Sequence, residues 1–348
     1  MNLEHYFKEA VSQKASDLHL VAGNKPYLRV DGKLIATSND IIDHNVLLEA
    51  LKVLVGQERL QQFQENKELD FSTEIDDYRF RINLHYQEGK IGMSARLIKS
   101  EVPKPNEIGF NESIINLTKL RDGLILVTGP SGCGKSTTLA TMINLINESR
   151  RVHIITIEDP IEYIFSDSKS VVEQREVGAD THSFAAALKH VLRQDPNVIM
   201  IGEMRDAETM SAALTAAETG HLVLSTLHTI TAPETIGRIV DSFPAHRKQQ
   251  ILTQLSLALR AVVAQQLLPK IGGGLIAARE IMINNQAIAN LITTNKVAQI
   301  STVIKTSYKE GMMDMNKAVD ELKENGLIDE LTAQSHKRDL STKAMYYS

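Results

Sequence analysis

The chain has 348 residues, 43% hydrophobic and 23% charged, with a formal charge of −5 and one cysteine. That length leaves room for two domains with their own cores. The composition excludes an internal disulfide and a multi-cysteine zinc site, and the mild acidity argues against wholesale nucleic-acid binding. No apolar run approaches the ~18 residues a bilayer crossing needs. The amino-terminal segment is acidic and amphipathic rather than signal-like, so a cytoplasmic location is expected.

Residues 3–13 place Leu3, Tyr6, Phe7, Ala10 and Val11 on one helical face. Strands are expected at Leu18–Val21, Tyr27–Val30 and Lys33–Ile35, the last two joined by an Asp31-Gly32 turn. Helices follow near 44–55 and 57–65. His19 has no second ligand near it in sequence and reads as a structural histidine. From Tyr78 to Tyr86 the alternation is strict, with Tyr, Phe, Ile, Leu and Tyr on one face and Arg79, Arg81, Asn83 and His85 on the other. The return strand, Ile91 to Ile98, comes after a Glu88-Gly89 turn, a register that sets Arg81 opposite Arg96. Like charges in opposition destabilise a sheet. The pair therefore calls for an anion from elsewhere or for an acidic side chain brought in by the fold, and both remain open. Residues 99–106 are polar and broken by prolines, a linker. A short helix with Ile114, Ile115, Leu117 and Leu120 comes next.

Leu124–Val127 is an apolar strand, and a helical pattern begins at Thr138. Between them lies Gly129-Pro130-Ser131-Gly132-Cys133-Gly134-Lys135-Ser136-Thr137. A Gly-x4-Gly-Lys-Ser run between strand and helix is a phosphate-binding P-loop. Its glycines let successive N–H groups point inward, and the helix N-terminus adds its dipole. Lys135 suits the β- and γ-phosphates and Ser136 a Mg²⁺ ion, so the ligand read from the motif is a nucleoside triphosphate. Cys133 fills a position where a small residue fits. Further strands are expected at Val152–Ile157, Asn197–Ile201 and Leu222–Ser225. They alternate with helices at 183–193, 206–218 and about 245–267, which means a mostly parallel sheet covered on both faces. Such sheets keep ligands beyond their strand C-termini. There the sequence carries the P-loop, Glu158-Asp159-Pro160-Ile161-Glu162, Gly202-Glu203-Met204-Arg205-Asp206 and Thr226-Leu227-His228-Thr229. Asp206 reads as a helix N-cap. Residues 285–348 read as helical, with Met312, Met315, Val319 and Leu322 as core filler.

Triphosphate hydrolysis needs a cradle, a metal, an oriented water and positive charge on the γ-phosphate. Glu203 suits an outer-sphere contact to Mg²⁺ beside Ser136, and Glu162 suits the base, with Glu158 and Asp159 as neighbours; the two glutamates could exchange roles. These motifs, with Leu192-Arg193-Gln194-Asp195-Pro196 and Thr219-Gly220-His221, resemble the secretion-ATPase superfamily. They match its Walker A, Asp box, arginine-containing turn, atypical Walker B and His box. Ser16-Asp17-Leu18-His19-Leu20 and the proline linker extend the likeness over nearly the whole chain, towards the ATPases that retract type IV pili. The resemblance implies an α/β fold: a RecA-like P-loop ATPase domain with a mostly parallel sheet, preceded by a smaller PAS-like α+β domain. The implied divisions are an N-terminal domain at 1–98, a linker at 99–110, an ATPase core at 111–284 and a helical region at 285–348. His228 and His221 take their roles mainly from this match, His228 as a γ-phosphate sensor. Arg81 and Arg96 fall where the family keeps arginine fingers supplied by a neighbouring subunit, with Arg79 a weaker candidate. Arg193, Arg205, Arg238 and Arg260 are expected in salt bridges.

The resemblance further implies a Mg-dependent ATPase in a homohexamer, bound peripherally to the inner membrane through a platform protein and without nucleic acid. A paralogous retraction ATPase is another implied partner. The short N-terminus and the lack of a four-cysteine element count against an assembly or secretion ATPase. Intact Lys135, Glu162, Glu203 and His228 count against a non-enzymatic subunit, and no basic stripe supports a DNA motor. One stretch departs from the family. Ala287-Ile288-Ala289-Asn290-Leu291-Ile292-Thr293-Thr294 stands where retraction ATPases carry Ala-Ile-Arg-Asn-Leu-Ile-Arg-Glu. Hydrolysis should survive that change, while an accessory retraction role gains ground.

Overall fold

A computed structural model describes residues 3–30, 32–76, 78–98 and 101–338. The expected turn residue Asp31, the linker residues Lys99 and Ser100, and positions 339–348 of the C-terminal region lie outside the described residues. Two units are distinguished, Met1–Glu101 with Pro160–Ile164, and Val102–Asp159 with Phe165–Ser348.

In the first unit, α1 (Leu3–Ser12) precedes β1 (Asp17–Val21), β2 (Tyr27–Val30) and β3 (Lys33–Ala36). Then come α2 (His44–Asn66), β4 (Glu68–Ile75), β5 (Tyr78–Gln87) and β6 (Lys90–Leu97). The strands form one antiparallel sheet in the order β3-β2-β1-β6-β5-β4. Alternation puts Leu18, Leu20, Phe80, Ile82 and Leu84 on the face that buries Phe7 of α1 and Leu47, Leu51 and Phe63 of α2. The Phe7 and Phe80 rings lie 4.7 Å apart. The two expected helices at 44–55 and 57–65 are two segments of α2 meeting at Gly56, whose φ of 79° and ψ of 168° interrupt the helix. Strand β4 follows α2 after a single left-handed residue, Lys67, with no Gly or Pro to announce it.

The β5–β6 register places Arg81 opposite Arg96, as the alternation requires. On the other side of β6, Asp17 pairs with Arg96. Asp17 Oδ1 accepts from Arg96 Nε at 2.8 Å, and Arg29 Nε lies 3.7 Å from Oδ2. Of the two possibilities left open for this pair, an acidic side chain from a neighbouring strand is realised for Arg96. His19 Nδ1 meets Ser94 Oγ at 3.2 Å, and burial, ahead of its charged neighbours, lowers the imidazole pKa.

In the second unit, α3 (Glu112–Leu117) leads to β7 (Gly123–Thr128), the P-loop and α4 (Lys135–Ser149). The chain continues through β8 (His153–Glu158), β9 (Val171–Glu176), α5 (Phe184–Val191), β10 (Val198–Ile201), α6 (Ala207–Glu218) and β11 (Leu222–Leu227). Next are α7 (Ala232–Asp241), α8 (Ala245–Ala258), β12 (Leu259–Pro269) and β13 (Leu275–Ile283). The sheet order is β13-β12-β7-β11-β10-β8-β9, parallel except for β13. Strands β7, β10 and β11 are buried throughout, the mark of a parallel sheet covered on both faces.

The helix expected over 245–267 ends at Ala258, and Leu259–Pro269 is a strand between β7 and β13. A continuous apolar run fits a buried strand as well as a buried helix, and Val262 and Val263 favour the strand. Helices α9 (Gln286–Thr293), α10 (Ile300–Thr306), α11 (Met315–Glu324) and α12 (Glu330–His336) complete the unit. Met315 and Val319 pack with Leu268, Ala278, Ile328 and Ala333, while Met312 joins the main core, as core filler should. Among the described residues no helix is long and apolar enough to cross a membrane.

Candidate functional site

The parallel ladder brings the C-terminal ends of β7, β11, β10 and β8 to one edge. The residues delivered there are the P-loop from β7, His228 from β11, Glu203 from β10 and Glu158 from β8. Helix α4 has no side-chain cap: its N-cap is Gly134, in left-handed conformation with φ 86°. By contrast α5, α6 and α7 are capped by Ser183, Asp206 and Thr231. An uncapped helix start leaves backbone N–H groups for an anion.

Gly129 (φ 144°) is required by its surroundings. A Cβ there would fall 2.4 Å from the carbonyl oxygen of Gln265 and 2.6 Å from Cys133 Sγ. Lys135 is buried, and its Nζ donates to the carbonyl oxygens of Gly129 at 2.9 Å and Pro130 at 3.0 Å. Those bonds hold the ammonium within the loop, where a phosphate would compete for it. Ser131, Gly132, Ser136 and Thr137 complete the loop and first turn, with Gly132 also left-handed at φ 77°. Cys133 is buried, which raises its thiol pKa against the lowering charge of Lys135.

Glu203 lies between an arginine and a histidine. One carboxylate oxygen is in contact with Arg205 Nη2, and the other is 3.2 Å from His228 Nε2. Its side chain is 15% exposed, whereas those of Arg205 and His228 are 71% and 53% exposed. The hydrogen bond from Arg205 to Glu203, then the carboxylate charge, raises the guanidinium pKa. Glu158 is buried and accepts from Thr156 Oγ1 at 2.7 Å and Gln174 Nε2 at 3.2 Å. That is the setting of a structural carboxylate. Asp206 Oδ1 accepts from Thr209 N at 2.8 Å, a helix cap. His221 lies at the opposite end of β11, its Nδ1 2.9 Å from the Ala216 carbonyl oxygen. The structure thus gathers the P-loop, Glu203 and His228. Arg81, Arg96 and Glu162 belong to the other unit, Glu162 through the segment Pro160–Ile164. Arg260 pairs with Asp122 at 2.5 Å, and Arg193 Nη1 bonds the Lys189 carbonyl at 3.3 Å.

Three residues that sequence reasoning passed over brace the site, two behind the loop and one beside the segment after His228. Gln265 Nε2 donates to the Cys133 carbonyl at 2.6 Å, and its Oε1 accepts from Thr138 Oγ1 at 2.8 Å. Arg279 donates to the same Oε1 at 3.3 Å and to the carbonyls of Ile108 at 2.8 Å and Gly109 at 3.1 Å. Burial pushes the Arg279 pKa down to about 10. Glu280 accepts from Ala232 N at 2.8 Å and from Arg338 Nη1 at 2.6 Å, fixing the segment after His228; burial raises its pKa despite the arginine. The signal was a polar Gln265-Gln266 and an Arg279-Glu280 inside apolar strands, where a charge needs a partner.

The type II/IV secretion system protein family matches residues 1–341. The type IV pilus retraction ATPase PilT of Pseudomonas aeruginosa is 44% identical over 94% of this chain and 96% of its own. The type IV pilus ATPase PilU of the same organism is 38% identical over 97% and 88%. A crystal structure of the pilus retraction motor PilT with bound ADP superposes with a TM-score of 0.91 at 43% identity, covering 98% of both chains. With a P-loop on a mostly parallel sheet and this likeness along its length, the chain belongs to the type II/IV secretion system protein family.

Proposed function

We propose that this chain is a Mg²⁺-dependent ATPase that converts ATP to ADP and phosphate and so powers retraction of a type IV pilus, the act behind twitching motility. The observation that carries this is the uncapped P-loop with Lys135 buried inside it, in a chain that matches a pilus-retraction ATPase over nearly its whole length. The residues Gly129, Pro130, Ser131, Gly132, Cys133, Gly134, Lys135, Ser136 and Thr137 hold the triphosphate by loop amides, the ammonium and the helix start. Glu162 takes the proton of the attacking water, while Glu203 orients the metal side of the site and His228 reads the γ-phosphate. Arg81 and Arg96 come from a neighbouring subunit and meet the charge that develops as the γ-phosphate leaves.

The donor set fits Mg²⁺. No three acidic, histidine or cysteine side chains form a metal cage among the described residues, and a hard ion held largely by phosphates needs only the Ser136 hydroxyl and an acidic outer-sphere group such as Glu203. When bound, the ion would neutralise phosphate charge. The working assembly is a homohexamer at the inner face of the cytoplasmic membrane, docked on an integral platform protein of the pilus machine. Its parts are 1–98, the linker 99–110, the ATPase core 111–284 and the helical region 285–348.

The test is direct. Purified protein should hydrolyse ATP with Mg²⁺, and Lys135→Ala should abolish turnover; normal hydrolysis by that variant excludes the assignment. Deleting the gene should leave cells heavily piliated but without twitching, whereas bald cells would mark an assembly motor. The absent arginines at Ala289 and Thr293 favour a second reading, an accessory retraction ATPase acting with a paralogue. Under that reading the deletion lowers retraction force but spares twitching.

A further inference from the structure

We propose that Gln265 is a positioning residue for the P-loop, its amide locked in one orientation by Arg279 and Thr138 so that it holds the Cys133 carbonyl. The inference rests on the P-loop being the nucleotide site. Gln265 sits on β12, beside the P-loop strand, and only 2% of its surface is exposed. A buried amide can be turned over without changing shape, so its orientation depends on its partners. Here Oε1 accepts two donors, Thr138 Oγ1 and Arg279 Nε, while Nε2 donates to Cys133 O at 2.6 Å. Turning the amide over would set its NH₂ against two donors and its oxygen against a carbonyl, three losses in a dry environment. Arg279 is itself fixed by the carbonyls of Ile108 and Gly109 and lies 5.2 Å from the Phe110 ring centroid.

The two bonds of Gln265 straddle the loop. One reaches Cys133 inside it and the other Thr138 in the first turn of α4, while the backbone oxygen of Gln265 lies against Gly129. The loop's curl is thus set from behind by one side chain as well as by its glycines. Arg279 carries a buried positive charge, and its guanidinium supplies the lock.

The test uses the full-length protein and Gln265→Glu. The new carboxylate keeps the size of the amide, accepts from Thr138 and pairs with Arg279, so the fold is retained and unfolding stays cooperative, at a midpoint lowered by the one lost bond. It cannot donate to Cys133 and turns an oxygen against that carbonyl. Affinity for ADP, measured by calorimetry, should fall by about tenfold or more, the scale of a buried acceptor left without its donor. The KM for ATP should rise with it. A buried amide that served only packing would lower the midpoint and show neither of these changes in the folded protein. A folded Gln265→Glu protein that binds ADP as tightly as wild type overturns the proposal. If the variant fails to fold, the compensation by Arg279 is wrong. Thr138→Val, which removes one lock without adding charge, then decides the rest: weakened ADP binding upholds the positioning role, and unchanged binding ends it. Wild-type protein that fails to bind ADP would sink the nucleotide reading itself, a separate outcome.

Discussion

Glu203 meets Arg205 and His228 at once, and that arrangement distinguishes the two glutamates proposed for catalysis. Its carboxylate touches Arg205 with one oxygen and His228 with the other, and it stands beyond β10, the strand next to His228's own. A carboxylate with both oxygens already engaged suits orienting a metal's water better than accepting a proton from the attacking one. Glu203→Ala should therefore lose turnover in a way that raised Mg²⁺ partly restores, while Glu162→Ala should remain inactive at every Mg²⁺ concentration. Steady-state hydrolysis across a Mg²⁺ titration checks this, and the opposite pattern exchanges the two roles. At this scale the sequence disclosed the P-loop because phosphate chemistry dictates spacing within nine residues. Gln265 stayed hidden because it meets Cys133 across 132 positions of chain, and nothing local to an apolar strand says which loop it will meet.

Secondary-structure elements were legible where two signals agreed. Strand β5 alternates strictly and turns at Glu88-Gly89, so even its pairing with β6 could be written in advance. Strand β12 had one signal only, continuous apolarity, which its position between β7 and β13 produces as readily as a buried helix does. Asp17 shows the limit of reasoning from hairpins: the strand that gives Arg96 its partner is 79 residues upstream. Burial works to raise the Asp17 carboxyl pKa, but hydrogen bonds from Ser16 and Arg96 outweigh it and hold the value below the ordinary one. That interaction stabilises the sheet above the ordinary carboxylate pKa and is lost as pH falls through the lowered value. Helix α2 offers the sharpest test at the scale of elements. Gly56 adopts φ 79° and ψ 168°, a region almost reserved for glycine, and nothing lies within 4 Å of an added Cβ. Gly56→Ala should cost about 1–3 kcal/mol of stability through backbone strain alone. Urea unfolding measures it. An unchanged midpoint would mean that the two segments of α2 can straighten into one helix.

For the molecule as a whole, the proposed ring makes each active site the work of two chains. The P-loop, Glu203 and His228 gather on one sheet edge, whereas Arg81 and Arg96 lie on the antiparallel sheet of the other unit. The proposed ring assigns these arginines to a neighbouring subunit's nucleotide. Arg96→Ala should then retain ATP binding while turnover drops by about 10³-fold, the scale of a lost arginine finger. Glu162→Ala should be equally inactive, for want of a base. Mixing the two dead proteins separates the possibilities. In a randomly assembled ring with a directional interface, an Arg96→Ala subunit keeps Glu162 and can receive an intact Arg96 from a Glu162→Ala neighbour. At equal amounts about a quarter of interfaces then contain every group, so the mixture should exceed both parents. The measurement is ATP turnover against mixing ratio, with ring formation followed by light scattering. Activity peaking near equal proportions places Arg96 in trans to Glu162. Mixed rings no more active than their parents at any ratio would mean that Arg96 and Glu162 serve a site from the same subunit.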